Sequence, residues 1–225
     1  MRAHYALVAL LIAVLGLTAT STAQADTYRS RAERWEFTLQ MRYLDDKSMS
    51  FPNGSELDVN SDIGWGFGFA YNFNDHLSLG FDFGWNSPSY DATLVSADTP
   101  ALASRRSSGE LSTSSINLNL LYNFIAGPVT PFIAAGIGST YIDTNIPSGL
   151  PSSSCWYDPY WGYYCDTYQA TYSDSRFSYN ASVGIRWDLA RDAFLRASIG
   201  SHWIDMKNGG EQNFTNGRIE IGFMY

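Results

Sequence analysis

Eight segments of the chain alternate apolar and polar residues at period two, and what constrains the fold most is which face carries the bulk. Alternation of this kind marks β-strands whose two faces meet different surroundings. In one segment Ile63, Trp65, Phe67, Phe69, Tyr71 and Phe73 alternate with Gly64, Gly66, Gly68, Ala70 and Asn72. In the next, Leu77, Leu79, Phe81, Phe83 and Trp85 oppose Ser78, Gly80, Asp82, Gly84 and Asn86. The remaining six run Trp35 to Tyr43, Ile116 to Phe124, Ile133 to Tyr141, Phe177 to Leu189, Leu195 to Trp203 and Ile219 to Tyr225. The inside of an eight-stranded barrel holds only a limited layer of side chains. The aromatic faces are too large for it and the small polar faces are not, so the bulky face turns outward, toward an apolar medium.

The connections sort in the same sense. Three are tight, at Asn74-Asp75, Ile125 to Thr130 with Gly127-Pro128, and Ala190 to Ala193. Four are long, roughly residues 44 to 60, 87 to 111, 142 to 174 and 205 to 214. A soluble sandwich has no reason to collect short loops at one end and long loops at the other, whereas transmembrane barrels have short periplasmic turns and long extracellular loops. Trp35, Tyr71, Tyr122, Trp187 and Tyr225 fall at one rim, and Tyr43, Trp65, Trp85, Tyr141, Tyr179 and Trp203 toward the other, as interfacial girdles require. The expected fold is all-β: an eight-stranded antiparallel transmembrane β-barrel in the bacterial outer membrane.

Residues 1–25 read as a cleaved signal peptide, with Arg2, an apolar run from Tyr5 to Leu17, and Ala23-Gln24-Ala25 before the cut. Residues 26–225 form the barrel domain. No later apolar run approaches the ~18 residues of a spanning helix. The net charge of -8 argues against nucleic acid as a partner.

Val129-Thr130-Pro131-Phe132-Ile133-Ala134-Ala135-Gly136-Ile137-Gly138, the hairpin Tyr71-Asn72-Phe73-Asn74-Asp75-His76-Leu77-Ser78-Leu79 and the ending Gly222-Phe223-Met224-Tyr225 carry a family likeness. Over about residues 35 to 225 the chain resembles the small outer-membrane barrels of the OmpW type. That resemblance implies a channel or binder for small, often hydrophobic, molecules. Two departures stand beside it, a terminal Tyr where Phe is usual and a Cys-bounded insertion in the third long loop.

The inward faces collect Glu36, Arg42, Asp82, Arg186, Asp188, Arg196, Arg218 and Glu220, four cations against four anions. Buried charges are costly unless paired, so a salt-bridged plug is one reading and a polar path the other. Inward Gly64, Gly66, Gly68, Gly136 and Gly138, with Ala134, either leave a cavity or make room for the arginines. A closed polar core is expected in the periplasmic half, with any ligand pocket in the extracellular half beneath the third loop.

That loop places Trp156, Tyr157, Tyr160, Trp161, Tyr163 and Tyr164 between Cys155 and Cys165. Export to an oxidising compartment makes a disulfide the default for two cysteines. The aromatics offer contact area at low entropic cost, so the loop is either a binding surface or a cap over the barrel mouth.

No cofactor or metal is expected, since the acids of the first long loop match no calcium spacing. Ser201, His202 and Asp205 are the one candidate catalytic set, but Ser201 and His202 fall on opposite faces, so no enzyme is expected. The expected partners are outer-membrane lipid and lipopolysaccharide, with a small hydrophobic solute or a surface partner besides. A monomer is expected. Two functions follow: binding or passing small molecules, or a structural or adhesin-like barrel acting through the aromatic loop.

Overall fold

The computed structural model describes residues 29–50, 54, 56–94, 105–147, 152–160, 162–168, 171–206 and 210–225. The expected signal peptide, residues 1–25, lies outside them. Eight strands, β1 (Arg34–Leu44), β4 (Asp62–Asn72), β5 (Leu77–Asn86), β7 (Arg105–Asn123), β8 (Val129–Pro147), β11 (Thr171–Asp188), β12 (Ala193–Met206) and β13 (Gly210–Met224), form one antiparallel ring. Each pairs with its neighbour in sequence among these eight, and β1 against β13 closes the ring.

Register follows from the alternation, because a one-residue slip would turn every aromatic side chain into the lumen. Leu39, Met41, Phe81, Ile116, Ile133, Ile137 and Val183 are all exposed on the outer wall. The girdles form as cross-strand ring pairs: Trp65 stacks on Trp85 with centroids 4.6 Å apart, Tyr179 on Trp203 at 5.1 Å, and Trp35 meets Tyr71 at 5.1 Å. Between β4 and β5, Asn74 Oδ1 accepts from the amides of His76 and Leu77, both at 2.8 Å, the local bonding that makes Asn a turn residue. The carboxy-terminal residue is tied into the seam, with Trp35 and Tyr225 exchanging two backbone bonds of 3.0 Å.

The long connections lie at one end as expected, but much of their length is strand. β7 begins at Arg105, well before the expected Ile116; β8 runs on to Pro147, and β11 starts at Thr171. The fourth connection shrinks to residues 207–209. The first contributes the hairpin β2 (Lys47–Ser50) and β3 (Glu56–Val59), and the second contributes β6 (Ser89–Leu94). β6 bridges β3 to the upper part of β7. The stretch from Arg105 to Glu110 has no apolar side chain on either face, and backbone pairing needs none there; beyond it Leu111, Thr113 and Ser115 face the lumen.

These upper elements enclose a small apolar core of Met49, Val59, Tyr90, Ala92, Ile204 and Phe214. It covers the extracellular mouth. The third connection instead forms a separate two-stranded sheet, β9 (Ser152–Asp158) with β10 (Gly162–Tyr168).

Candidate functional site in the barrel lumen

The inward positions of the spanning strands gather charged side chains into one continuous chain of ion pairs. Starting at the periplasmic end, Arg31 reaches Asp188 at 2.9 Å, and Asp188 reaches Arg186 at 2.8 Å. Arg186 meets Glu36 at 2.7 Å, and Glu36 lies 3.6 Å from Arg196. Arg196 binds Glu220 at 2.8 Å, Glu220 lies 3.7 Å from Arg218, and Arg218 ends on Asp82 at 2.9 Å. Four arginines thus alternate with four carboxylates. Arg31, Arg186 and Glu36 are wholly buried, so these pairs are poorly screened and losing one partner would strand its neighbours.

Seven of the eight charged residues expected to share the lumen belong to this chain, and Arg42 does not. Its place in the charge balance is taken by Arg31, from the segment before β1, which lies outside any alternating pattern. Arg31 also donates to the carbonyls of Asp75 at 3.0 Å and Gly127 at 2.5 Å, and Asp75 Oδ1 accepts its backbone amide at 2.7 Å. The chain then turns at Glu33, a non-glycine residue at φ 60°, to enter β1. Together these contacts tie the segment before β1 to the turns at Asp75 and Gly127 and to the end of β11.

Phe194 is a second residue that the alternation did not mark. It is fully buried, with the Arg186 guanidinium 3.8 Å and that of Arg196 5.0 Å from its ring centroid. Cation–π contact adds to the pairing of both arginines. A Cβ at Gly222 would come within 2.1 Å of that ring, so the position needs glycine.

The space left by the inward glycines is taken up by neighbouring side chains. A Cβ at Gly68 would meet Asp82 Oδ1 at 2.4 Å, and one at Gly136 would meet Asn119 Oδ1 at 1.9 Å. Gly84 makes room for Arg42, whose Nη1 would lie 1.6 Å from a Cβ there. Asp82 further accepts bonds from Gln40 at 2.9 Å and Asn119 at 2.7 Å.

Above the ion pairs the lumen opens into a cavity of about 60 Å³. Arg42, Ser115, Thr140, His202 and Asn216 line its lower, polar side; Val59, Leu111, Ile142, Ile204 and Phe214 line its upper, apolar side. Arg42 Nη1 donates to Ser115 Oγ at 3.2 Å, and His202 Nε2 lies 3.0 Å from Thr140 Oγ1. A second void of about 10 Å³ lies beside Arg42, Asn117, Asn119 and Arg218. Among the described residues, Asn117 Oδ1, Asn119 Oδ1 and Gln40 Oε1 are buried without a hydrogen-bond donor.

The pocket thus stands in the extracellular half, but its roof differs from the expected one. Val59 and Phe214 of the apolar core cover it, while the β9–β10 hairpin pairs only with itself. In that hairpin Cys155 and Cys165 are cross-strand partners joined by a disulfide. Tyr157 and Tyr163 share its face with ring centroids 5.4 Å apart, and Tyr160 sits at the turn. All three are exposed. Trp161 and the side chains of Trp156 and Tyr164 lie outside the described residues. Ser201 faces the outer wall, lining a groove there, and His202 faces the lumen, so the two do not converge.

The family model for the outer membrane protein beta-barrel domain matches residues 9–225. A comparison with curated proteins by sequence finds no match. Among solved structures, OprG from Pseudomonas aeruginosa is similar at a TM-score of 0.55 and 14% identity, over 86% of this chain and 96% of that one. Neisserial surface protein A is similar at 0.50 and 12% identity, over 87% and 97%. Ail of Yersinia pestis, in complex with the heparin analogue sucrose octasulfate, is similar at 0.50 and 11% identity, over 86% and 99%. At these identities the likeness is one of fold.

Proposed function

Because the chain belongs to the outer membrane protein β-barrel domain family and resides in the bacterial outer membrane, we propose that it binds small amphipathic molecules in the extracellular half of its lumen and does not conduct steadily. One observation carries this reading: the ion-pair chain from Arg31 to Asp82 fills the periplasmic half, while the half-polar, half-apolar cavity lies above it. Narrow eight-stranded barrels have interiors filled by side chains. Opening a path through this one would separate several buried pairs, each a loss of several kcal/mol, on the order of 3–5.

Planar-bilayer conductance tests the reading. The unmodified protein should show rare openings or none, and Arg186→Ala, which breaks the chain at two carboxylates, should open more often. Steady, frequent openings that are the same in both would overturn it and favour a passive channel.

A second reading rests on the β9–β10 hairpin. Tyr160 is 91% and Tyr163 82% exposed beside a covalent clamp, and a preorganised aromatic surface suits recognition outside the cell. Loss of cell-surface attachment on replacing Tyr157, Tyr160 and Tyr163 with Ser, with the barrel intact, would favour that interaction role.

A further inference from the structure

We propose that the upper-lumen cavity takes a small monocarboxylate with a short apolar tail, its carboxylate held by Arg42; this rests on the small-molecule reading above. The first ground is charge balance. The four arginines and four carboxylates of the ion-pair chain neutralise one another without Arg42. Arg42 is therefore the surplus cation of the lumen, 9% exposed and with no carboxylate within 4.0 Å among the described residues. A buried, unpaired charge is expensive. An anion from outside would supply the missing partner.

The second ground is donor geometry. A guanidinium presents five N–H donors in a planar fork that matches a carboxylate bidentately. One of them is engaged, donating to Ser115 Oγ. The guanidinium lies against Gly84, where a Cβ would stand 1.6 Å from its Nη1, so the missing side chain leaves it room beside the cavity.

The third ground is the rest of the wall. Leu111, Ile142, Ile204 and Phe214 face Arg42 across the cavity. A strongly hydrated inorganic anion would lose its water against that side and gain nothing from it. An aliphatic tail buries apolar surface there instead, at about 25 cal/mol per Å².

Size narrows the class further. By the same measure one water needs about 10–15 Å³, so the cavity of about 60 Å³ holds roughly four to six groups of that size. That is a carboxylate with a tail of about three carbons. The acids nearest Arg42, Asp82 and Glu220, are already paired with arginines. An amino acid would bring an ammonium with no carboxylate to receive it, so the des-amino acid should bind better.

The test uses the full barrel in detergent micelles with labelled histidines. His202 lines the cavity, while His76 lies at the periplasmic turn against the Asn123 carbonyl and serves as internal reference. Sodium butyrate, 2-aminobutyrate, butyramide, 1-butanol and sodium chloride are titrated at matched ionic strength, with heat-modifiable gel mobility checking the fold of each variant. Butyrate should move the His202 imidazole resonances to saturation and leave His76 in place. Its affinity should fall at least tenfold in Arg42→Gln, and 2-aminobutyrate should bind more weakly by a similar factor. Leu111→Phe, which fills the apolar side without touching Arg42, should weaken butyrate more than acetate. Equal responses to butyrate, butyramide and butanol, unchanged in Arg42→Gln, would overturn the carboxylate assignment and leave small-molecule binding standing. Chloride competing as well as butyrate would overturn the tail. No His202 response to any probe would overturn both the assignment and the reading beneath it.

Discussion

The barrel wall has two regions that share one geometry and carry opposite chemistry. In the lower region outward residues such as Leu39, Ile116 and Val183 are apolar, and inward Glu36, Arg186 and Arg196 are charged. In the upper region inward Ile204 and Phe214 are apolar and buried, while Asp205, Glu211 and Asn213 face out. β12 and β13 pass through both regions without a break, and their side-chain parity never changes. Only the solvent does. Lipid surrounds the lower wall and water the upper, so the same strand is inside-out below and ordinary above. Parity therefore fixes which residues share a side, and the medium decides what that side must be made of.

The largest effect expected from breaking this arrangement is in the lower lumen. Glu36→Ala removes the partner of both Arg186 and Arg196 and should destabilise the barrel by about 3–5 kcal/mol. Urea unfolding in lipid vesicles, followed by tryptophan fluorescence, measures it; a change under 1 kcal/mol would show that the ion pairs do not carry the lower region. A matched pair of outward substitutions sharpens the contrast between the media. Leu39→Arg puts a charge against lipid and should cost about 2–4 kcal/mol near the midplane, while Asp58→Arg, in water on β3, should leave stability unchanged. Equal costs would mean that the boundary between the regions is misplaced. The smallest effect on the barrel comes from the hairpin beside it. Cys155→Ser with Cys165→Ser should release about 2–3 kcal/mol of constraint from that short loop and leave gel mobility as it was; proteolysis within residues 156–164 should rise. A barrel that fails to fold without the disulfide would contradict the hairpin's separation from it.

The lower region was more legible in the sequence than the upper, and the start of β7 shows why. Period two is visible only where the two faces differ in polarity, as at Ile63 to Phe73. Arg105 to Glu110 is a strand by its pairing with β6, yet with no apolar side chain on either face it shows no contrast to read. The lumen was half legible: parity identified the inward charges, but the partners depend on how strands are staggered around the ring. Arg31 entered from a segment with no period, so it could not be seen to displace Arg42 from the charge balance. Phe194 was hidden because it stands where a tight turn was expected to end.

The ion-pair chain also has a mechanical meaning. Backbone bonds run along the circumference of the tube and fix only its perimeter, which leaves a hoop free to flatten. Arg186 to Glu36 spans from β11 to β1, and Arg218 to Asp82 from β13 to β5, each bypassing the strands between. These are chords. A braced hoop cannot turn oval without stretching a chord, so the lateral pressure of the surrounding acyl chains meets a rigid cross-section in the lower half. The bracing ends at the level of Arg42, and above it the wall is filled by soft apolar packing. Any squeezing of the tube is therefore taken up where the cavity lies.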